Sequence, residues 1–123
     1  MDRKFFAIGC ALAALAVAAG AFGAHGLRGM IDESALANWE TAARYQMYHA
    51  VGLMAAGYAC AAFKRKLAGV AGWLFIAGIV LFSGSLYALS LSGLRILGAI
   101  TPLGGVAFIA GWICLALAAM RKE

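Results

Sequence analysis

The chain has 123 residues, 65% of them hydrophobic and 12% charged, with a net charge of +5 at neutral pH. Soluble domains are about 45–50% apolar and about 25% charged, so a soluble fold of this length could not hide the apolar surface, and disorder and a disulfide-framed secreted domain are excluded with it. The ten Lys and Arg residues are scattered between apolar blocks and form no basic stripe, which leaves no nucleic-acid partner to expect.

Four uncharged stretches follow one another along the chain. A bilayer core about 30 Å thick needs about 20 apolar residues as helix, and inside lipid the backbone has to satisfy its own hydrogen bonds. The stretches therefore predict helical spans at about 5–24, 45–63, 68–91 and 99–120. The expected fold is all-α: one domain over 1–123, a polytopic four-transmembrane-helix bundle with the lipid bilayer as its partner.

The first span opens on Arg3 and Lys4 and has small residues at Ala19 and Ala21, which is how a secretory signal also reads. Its apolar run is longer than a signal core, so it is expected to remain as a span. Ala16, Gly20 and Ala24, like Ala19 and Gly23, lie four apart, the spacing that lets helices approach closely in lipid.

The segment between His25 and Arg44 is the one sizeable connection. Asp32 is placed to cap a helix and Glu33 sits in its first turn, where the helix dipole favours acid. Ala35, Leu36, Trp39, Ala42 and Ala43 give that helix an apolar side, and no Gly or Pro interrupts 34–51. A short amphipathic helix should thus run directly into span two, with Trp39, Tyr45 and Tyr48 marking the interface.

Span two carries the ladder Gly52, Ala56, Cys60 and ends at Lys64, Arg65 and Lys66. Span three holds Ser83, Ser85, Tyr87 and Ser90, and Gly93, Arg95 and Gly98 predict the turn that follows. In span four Pro102 falls in the first turn, where its missing N–H costs nothing, and Thr101 is the expected N-cap. Ala107 and Gly111 repeat the small-residue spacing. Such faces serve packing within the bundle and offer a route to a homo-oligomer. Cys10, Cys60 and Cys114 all lie within spans, show no C-x-x-C spacing, and read as small apolar fillers.

Four spans put both termini on one side. Arg3, Lys4, Lys64, Arg65, Lys66, Arg121 and Lys122 fall there, against Arg28, Arg44 and Arg95 on the other side. The positive-inside rule places both termini in the cytoplasm.

No Asp, Glu, Lys or Arg lies in the core of a span, which argues against a proton-coupled transporter. The polar residues left at depth are His25, Gln46, His49, Ser83, Ser85, Tyr87, Ser90 and Thr101, and all but Ser90 are candidates for a ligand site. At 1.5 Å per residue, His49 stands roughly 21 Å, and Ser83 and Ser85 roughly 22–26 Å, above the cytoplasmic boundary. The polar set therefore gathers in the external third, either as interhelical hydrogen bonds that lock the bundle or as a pocket for a lipid headgroup or other small ligand. His25 and His49, with Glu40 as the nearest acid, are the weak metal candidates; no metal or cofactor is expected. No motif marks Ser83 or Ser85 as a nucleophile. The competing readings are an oligomeric channel or transporter and a histidine-dependent membrane enzyme.

Four ordered blocks carry a resemblance: Gly20-Ala21-Phe22-Gly23-Ala24-His25-Gly26-Leu27, Trp39 through Ala50, Ser83-Gly84-Ser85-Leu86-Tyr87, and Ile100-Thr101-Pro102-Leu103-Gly104-Gly105 with Gly111-Trp112. Together they resemble the bacterial family catalogued as domain of unknown function 423, the YgdD/YwdK-like small membrane proteins, with the eukaryotic transmembrane protein 256 as a distant relative. The resemblance covers nearly the whole chain. It implies a multi-pass protein of the bacterial inner membrane with no established activity, and it supplies no catalytic residues.

Overall fold

The computed structural model describes residues 2–63 and 65–121, and all its regular elements are helical. Helix α1 spans Arg3–Phe22 and is continued by one π-helical turn, Gly23–Leu27. Its start is fixed by Asp2, whose Oδ1 accepts from the backbone N–H of Lys4 at 3.0 Å and of Phe5 at 3.2 Å. A short loop, turned at Gly29 with φ +86°, leads to α2, Glu33–Ala62. Asp32 caps α2 as expected, accepting from Ala35 N–H at 2.7 Å. The amphipathic segment and span two are one uninterrupted helix.

Helix α3, Arg65–Gly78, passes through a π-helical turn, Ile79–Ser83, into α4, Gly84–Ser92, and the three form one continuous rod, Arg65–Ser92. Gly93 ends the rod in the left-handed region at φ +71°, a conformation that costs glycine little. A 3-10 turn, Arg95–Ala99, connects to α5, Thr101–Met120. Pro102 stands in the first turn as expected. Thr101 is not the N-cap. That position is Ile100, which has no side-chain cap, and the Thr101 hydroxyl points into the bundle instead.

Among the described residues three helical segments, not the four expected, are long and apolar enough to cross a membrane: Arg3–Leu27, Arg65–Ser92 and Arg95–Met120. Helix α2 falls short because Gln46, His49 and the tyrosines at 45, 48 and 58 dilute its apolar run. Its buried positions explain how it can carry them. Trp39, Ala42, Gln46, His49, Leu53, Ala56 and Cys60 recur every three or four residues and face neighbouring helices. Helix α2 packs on α1, α3 and α4, while α5 packs on α3.

Close approach depends on glycines. The backbone N–H of Asp2 donates to the Gly57 carbonyl at 2.9 Å, and a methyl group on Gly57 would lie 2.9 Å from the Asp2 carbonyl. Gly9 stands equally close to the Ala50 carbonyl. Of the small-residue ladders, Gly52, Ala56 and Cys60 are buried within the bundle, whereas Gly20 faces open space and Ala24 is exposed. Phe75, fully buried, forms the centre of the packing with Ala56, Ala71, Ile79 and Phe108. Of the basic residues assigned to the terminal side, Lys64 and Lys122 lie outside the described residues.

Candidate functional site

The polar residues of the spans sort into three hydrogen-bonded groups near the end of the bundle that carries the 28–32 loop. The first is centred on Gln46. Its amide nitrogen donates to the Leu12 carbonyl of α1 at 2.8 Å, and its amide oxygen accepts from the Tyr87 hydroxyl of α4, also at 2.8 Å. One side chain thus ties three helices. Above it the Trp39 indole donates to the Ala19 carbonyl at 2.7 Å. The Ser83 hydroxyl, at 0% exposure, donates to the Ala42 carbonyl at 2.7 Å.

The second group is built on His49. Its Nδ1 lies 2.7 Å from the Tyr45 carbonyl, which can only accept, so Nδ1 carries the proton. Its Nε2 then accepts from the Trp112 indole N–H at 3.0 Å. Both ring nitrogens are occupied, and the imidazole stacks on Phe108 at 3.5 Å between centroids and 7° between planes. Phe75 and Tyr45 complete its surroundings.

The third group joins the rod to α5: the Ser85 and Thr101 hydroxyls lie 2.5 Å apart, with Ser85 3.0 Å from the Phe82 carbonyl and Thr101 3.4 Å from the Leu97 carbonyl. Ser90 bonds back to the Leu86 carbonyl of its own helix. The π turn sets this division. Gly84 N–H reaches the Ile79 carbonyl five residues back, and the wider turn shifts the helical phase. Ser83 and Tyr87 then meet α2 while Ser85 meets α5.

Gln46, His49, Ser83, Ser85, Tyr87 and Thr101 thus lie at one end, but in separate pairings. His25 does not join them. It is exposed on the π turn that ends α1 and has no hydrogen bond among the described residues. Glu40 lines an open hollow of about 750 Å³ with Arg28, Asp32 and Glu33. No group of three His, Cys, Asp or Glu among the described residues is placed to hold a metal. Every buried side-chain nitrogen or oxygen among them has a partner.

Three participants escape sequence reasoning. Trp39, expected at the interface, is buried against α1. Trp112 and Phe108 supply the partner and the stacking face of His49; their spacing of four on α5 is the signal that could have paired them. Two clefts flank the groups. One, of about 480 Å³, separates α1 from the rod and is backed by Gln46, Ser83 and Tyr87. The other, of about 540 Å³, lies between α2 and α5 and is walled by Tyr45, Tyr48, Phe82, Phe108 and Trp112, with His49 behind.

A sequence profile described as "Protein of unknown function (DUF423)" matches residues 19–105. The chain is 53% identical to UPF0382 membrane protein YwdK of Bacillus subtilis, over 97% of this chain and 98% of that protein. It is 49% identical to UPF0382 membrane protein SERP0230 of Staphylococcus epidermidis, over 97% of each. With UPF0382 membrane protein SAB0533 of Staphylococcus aureus the identity is 48%, again over 97% of each. No solved structure matches.

Proposed function

The chain belongs to the DUF423 family of unknown function, and from that premise we propose that it is a non-catalytic protein of the bacterial inner membrane that holds a bilayer-soluble molecule in a cleft between its helices. All four long helices cross the membrane in this reading. Helix α2 does so in spite of its polar residues, because Gln46 and His49 face other helices and leave tyrosines as the only polar side chains exposed along 45–63. Both termini are cytoplasmic and the 28–32 loop is external.

One observation supports the reading above others. The buried polar side chains bond to each other and to backbone carbonyls, with none left over among the described residues, so their chemistry is helix locking. His49 illustrates this. With Nδ1 donating and Nε2 accepting, it has no free nitrogen for a metal or a substrate proton. What stays open at the sides of the locked bundle is apolar and aromatic.

Native mass spectrometry of the protein extracted in lipid nanodiscs tests the reading. We expect a retained hydrophobic molecule at about one per chain, and a protein that carries none above the background lipid would refute it. Topology has its own check. With Cys10, Cys60 and Cys114 replaced, Gly29→Cys should react in whole spheroplasts with a membrane-impermeant maleimide, while Arg121→Cys should react only after lysis. Equal labelling of both would overturn the orientation.

A further inference from the structure

A hollow of about 360 Å³ opens between α2 and α5 in the half of the bundle where both helices end. Ala55 and Ala59 on α2 and Ala116 and Ala119 on α5 line it, and these small side chains leave the space. Trp112 bounds it toward the middle of the bundle, where the indole donates to His49 Nε2 at 3.0 Å and its ring edge lies against Gly52. The hollow is therefore closed at mid-depth and separate from the cleft beside His49. From Ala55 to Phe63 in its wall is about 12 Å of helix at 1.5 Å per residue. One leaflet supplies about half of a hydrocarbon core roughly 30 Å thick, so the hollow matches a single acyl chain of one leaflet.

The charge at the open end has one sign. Ala59, Ala68 and Ala118 belong to one buried cluster, with Leu115 packed against it, and Ala59 and Leu115 also wall the hollow. Arg65 precedes Ala68 by three residues and Arg121 follows Ala118 by three, less than one helical turn in each case. Both arginines are exposed and thus stand at the level just past Phe63 and Ala119. Arg3, Lys4 and Lys66 are exposed at the same end. Among the described residues the one acid there is Asp2, and its Oδ1 is engaged in capping α1. Helix dipoles do not offset these charges. Helices α1 and α3 begin at this end while α2 and α5 finish there, so their partial charges cancel.

We propose that this hollow seats one acyl chain of an anionic phospholipid of the phosphatidylglycerol class, with its phosphodiester held by Arg65 and Arg121. The inference rests on the reading of the protein as a holder of a bilayer-soluble molecule, and it names the class of that molecule and its cleft. The wall of the hollow has no charged residue, so it accepts a chain and is indifferent to the head. Choice of head falls to the guanidinium groups, whose paired N–H donors match two phosphate oxygens. Phosphatidylcholine presents the same phosphate but adds an ammonium, which the surrounding basic side chains repel. No bond is made or broken.

The test uses the full chain in nanodiscs of equimolar phosphatidylglycerol and phosphatidylcholine with identical acyl chains. Native mass spectrometry counts the lipids that stay bound after ejection. We expect one retained lipid per chain, with phosphatidylglycerol preferred roughly tenfold or more. A basic side chain near anionic lipid contributes a factor of roughly five. Arg65→Gln or Arg121→Gln alone should therefore lower the preference about fivefold, and the two together should bring it near parity. Arg28→Gln with Arg95→Gln, at the other end, should leave it unchanged. Ala116→Phe fills the hollow from an exposed position and keeps every charge; it should lose the retained lipid at an unchanged melting temperature. Equal retention of the two lipids overturns the proposal, as does a preference that ignores Arg65 and Arg121 or responds equally to Arg28 and Arg95. Phosphatidylglycerol that stays on the Ala116→Phe variant also overturns it, since the lipid then sits on the charged surface and not in the hollow. A lipid retained without preference leaves the broader reading standing. If none is retained, both fall.

Discussion

Gly104→Leu should destabilise the bundle by about 3 kcal/mol, the upper end of what overpacking usually costs. Gly104 begins the second turn of α5 and faces the π turn of the rod. A Cβ there would stand 2.7 Å from the Cβ and 2.8 Å from the Cα of Phe82. A flexible side chain could move aside; a helix backbone cannot. To admit leucine, α5 has to lift off the rod, which separates the Ser85–Thr101 hydroxyl pair and draws Phe108 away from Phe82. Gly69 provides the control, since a Cβ there meets nothing within 4 Å. Gly69→Leu should be neutral within about 0.5 kcal/mol, or slightly stabilising because leucine favours helix. Unfolding of the purified variants in a graded SDS–detergent mixture measures the difference. Equal midpoints for the two variants would refute the close packing of α5 on the π turn.

Phe75→Ala is expected to cost about 2 kcal/mol. In a soluble core, Phe→Ala costs 3–5 kcal/mol, part of which is the transfer of the ring to water and part the cavity left behind. Inside a bilayer the separated helices stay in hydrocarbon, so the transfer part largely vanishes and the lost packing remains. The position maximises that remainder. The Phe75 ring is fully buried, sits against Gly52 and Gly111, and is 4.8 Å from the Trp112 ring and 5.6 Å from His49. Removing it should loosen the indole that donates to His49, so a shift in Trp112 emission should accompany the loss of stability. Phe75→Leu should recover about half of it. An alanine variant with unchanged midpoint and emission would show that Phe75 is not the centre of the packing.

Much of the architecture was legible as local arithmetic. The Asp32 cap, the absence of Gly and Pro over 34–51, the Gly93 turn and the first-turn Pro102 all stand where the residues placed them, because each depends on a few neighbouring atoms. The number of spans was less legible. Counting charges made 45–63 a span, while its apolarity falls below that of the other three helices. The two measures disagree because a count of charges passes over Gln46 and His49, which lower the apolarity of α2 and are buried on the face that packs on other helices, while Tyr48, Val51 and Tyr58 on its other face stay exposed.

The polar groups were found by depth and mispaired by inference. His25 and His49 invited a common site, but His25 lies on the exposed side of a π turn. Gln46 and His49, three apart on one helix, reach different partners: Gln46 meets α1 and α4, His49 meets α5. Trp39 carries no mark that distinguishes a buried tryptophan from one at an interface.

By itself, then, the sequence determined the helical membrane class, the helical elements, the Asp32 cap and the Gly93 turn, and the gathering of polar residues toward one end of the bundle, but not the cap of α5. These follow from composition and from rise per residue, which act along one dimension. Only the tertiary structure decided which side chains meet. Partnership depends on how far each helix is rotated and how closely two backbones approach. Both are set by features that periodicity does not register: the two π turns that shift helical phase, and the contacts of Gly9, Gly57 and Gly104 with a neighbouring backbone. The same geometry packs α5 on α3 and away from α2, which is why an aromatic cleft stays open between α2 and α5 while the buried polar groups among the described residues are all paired.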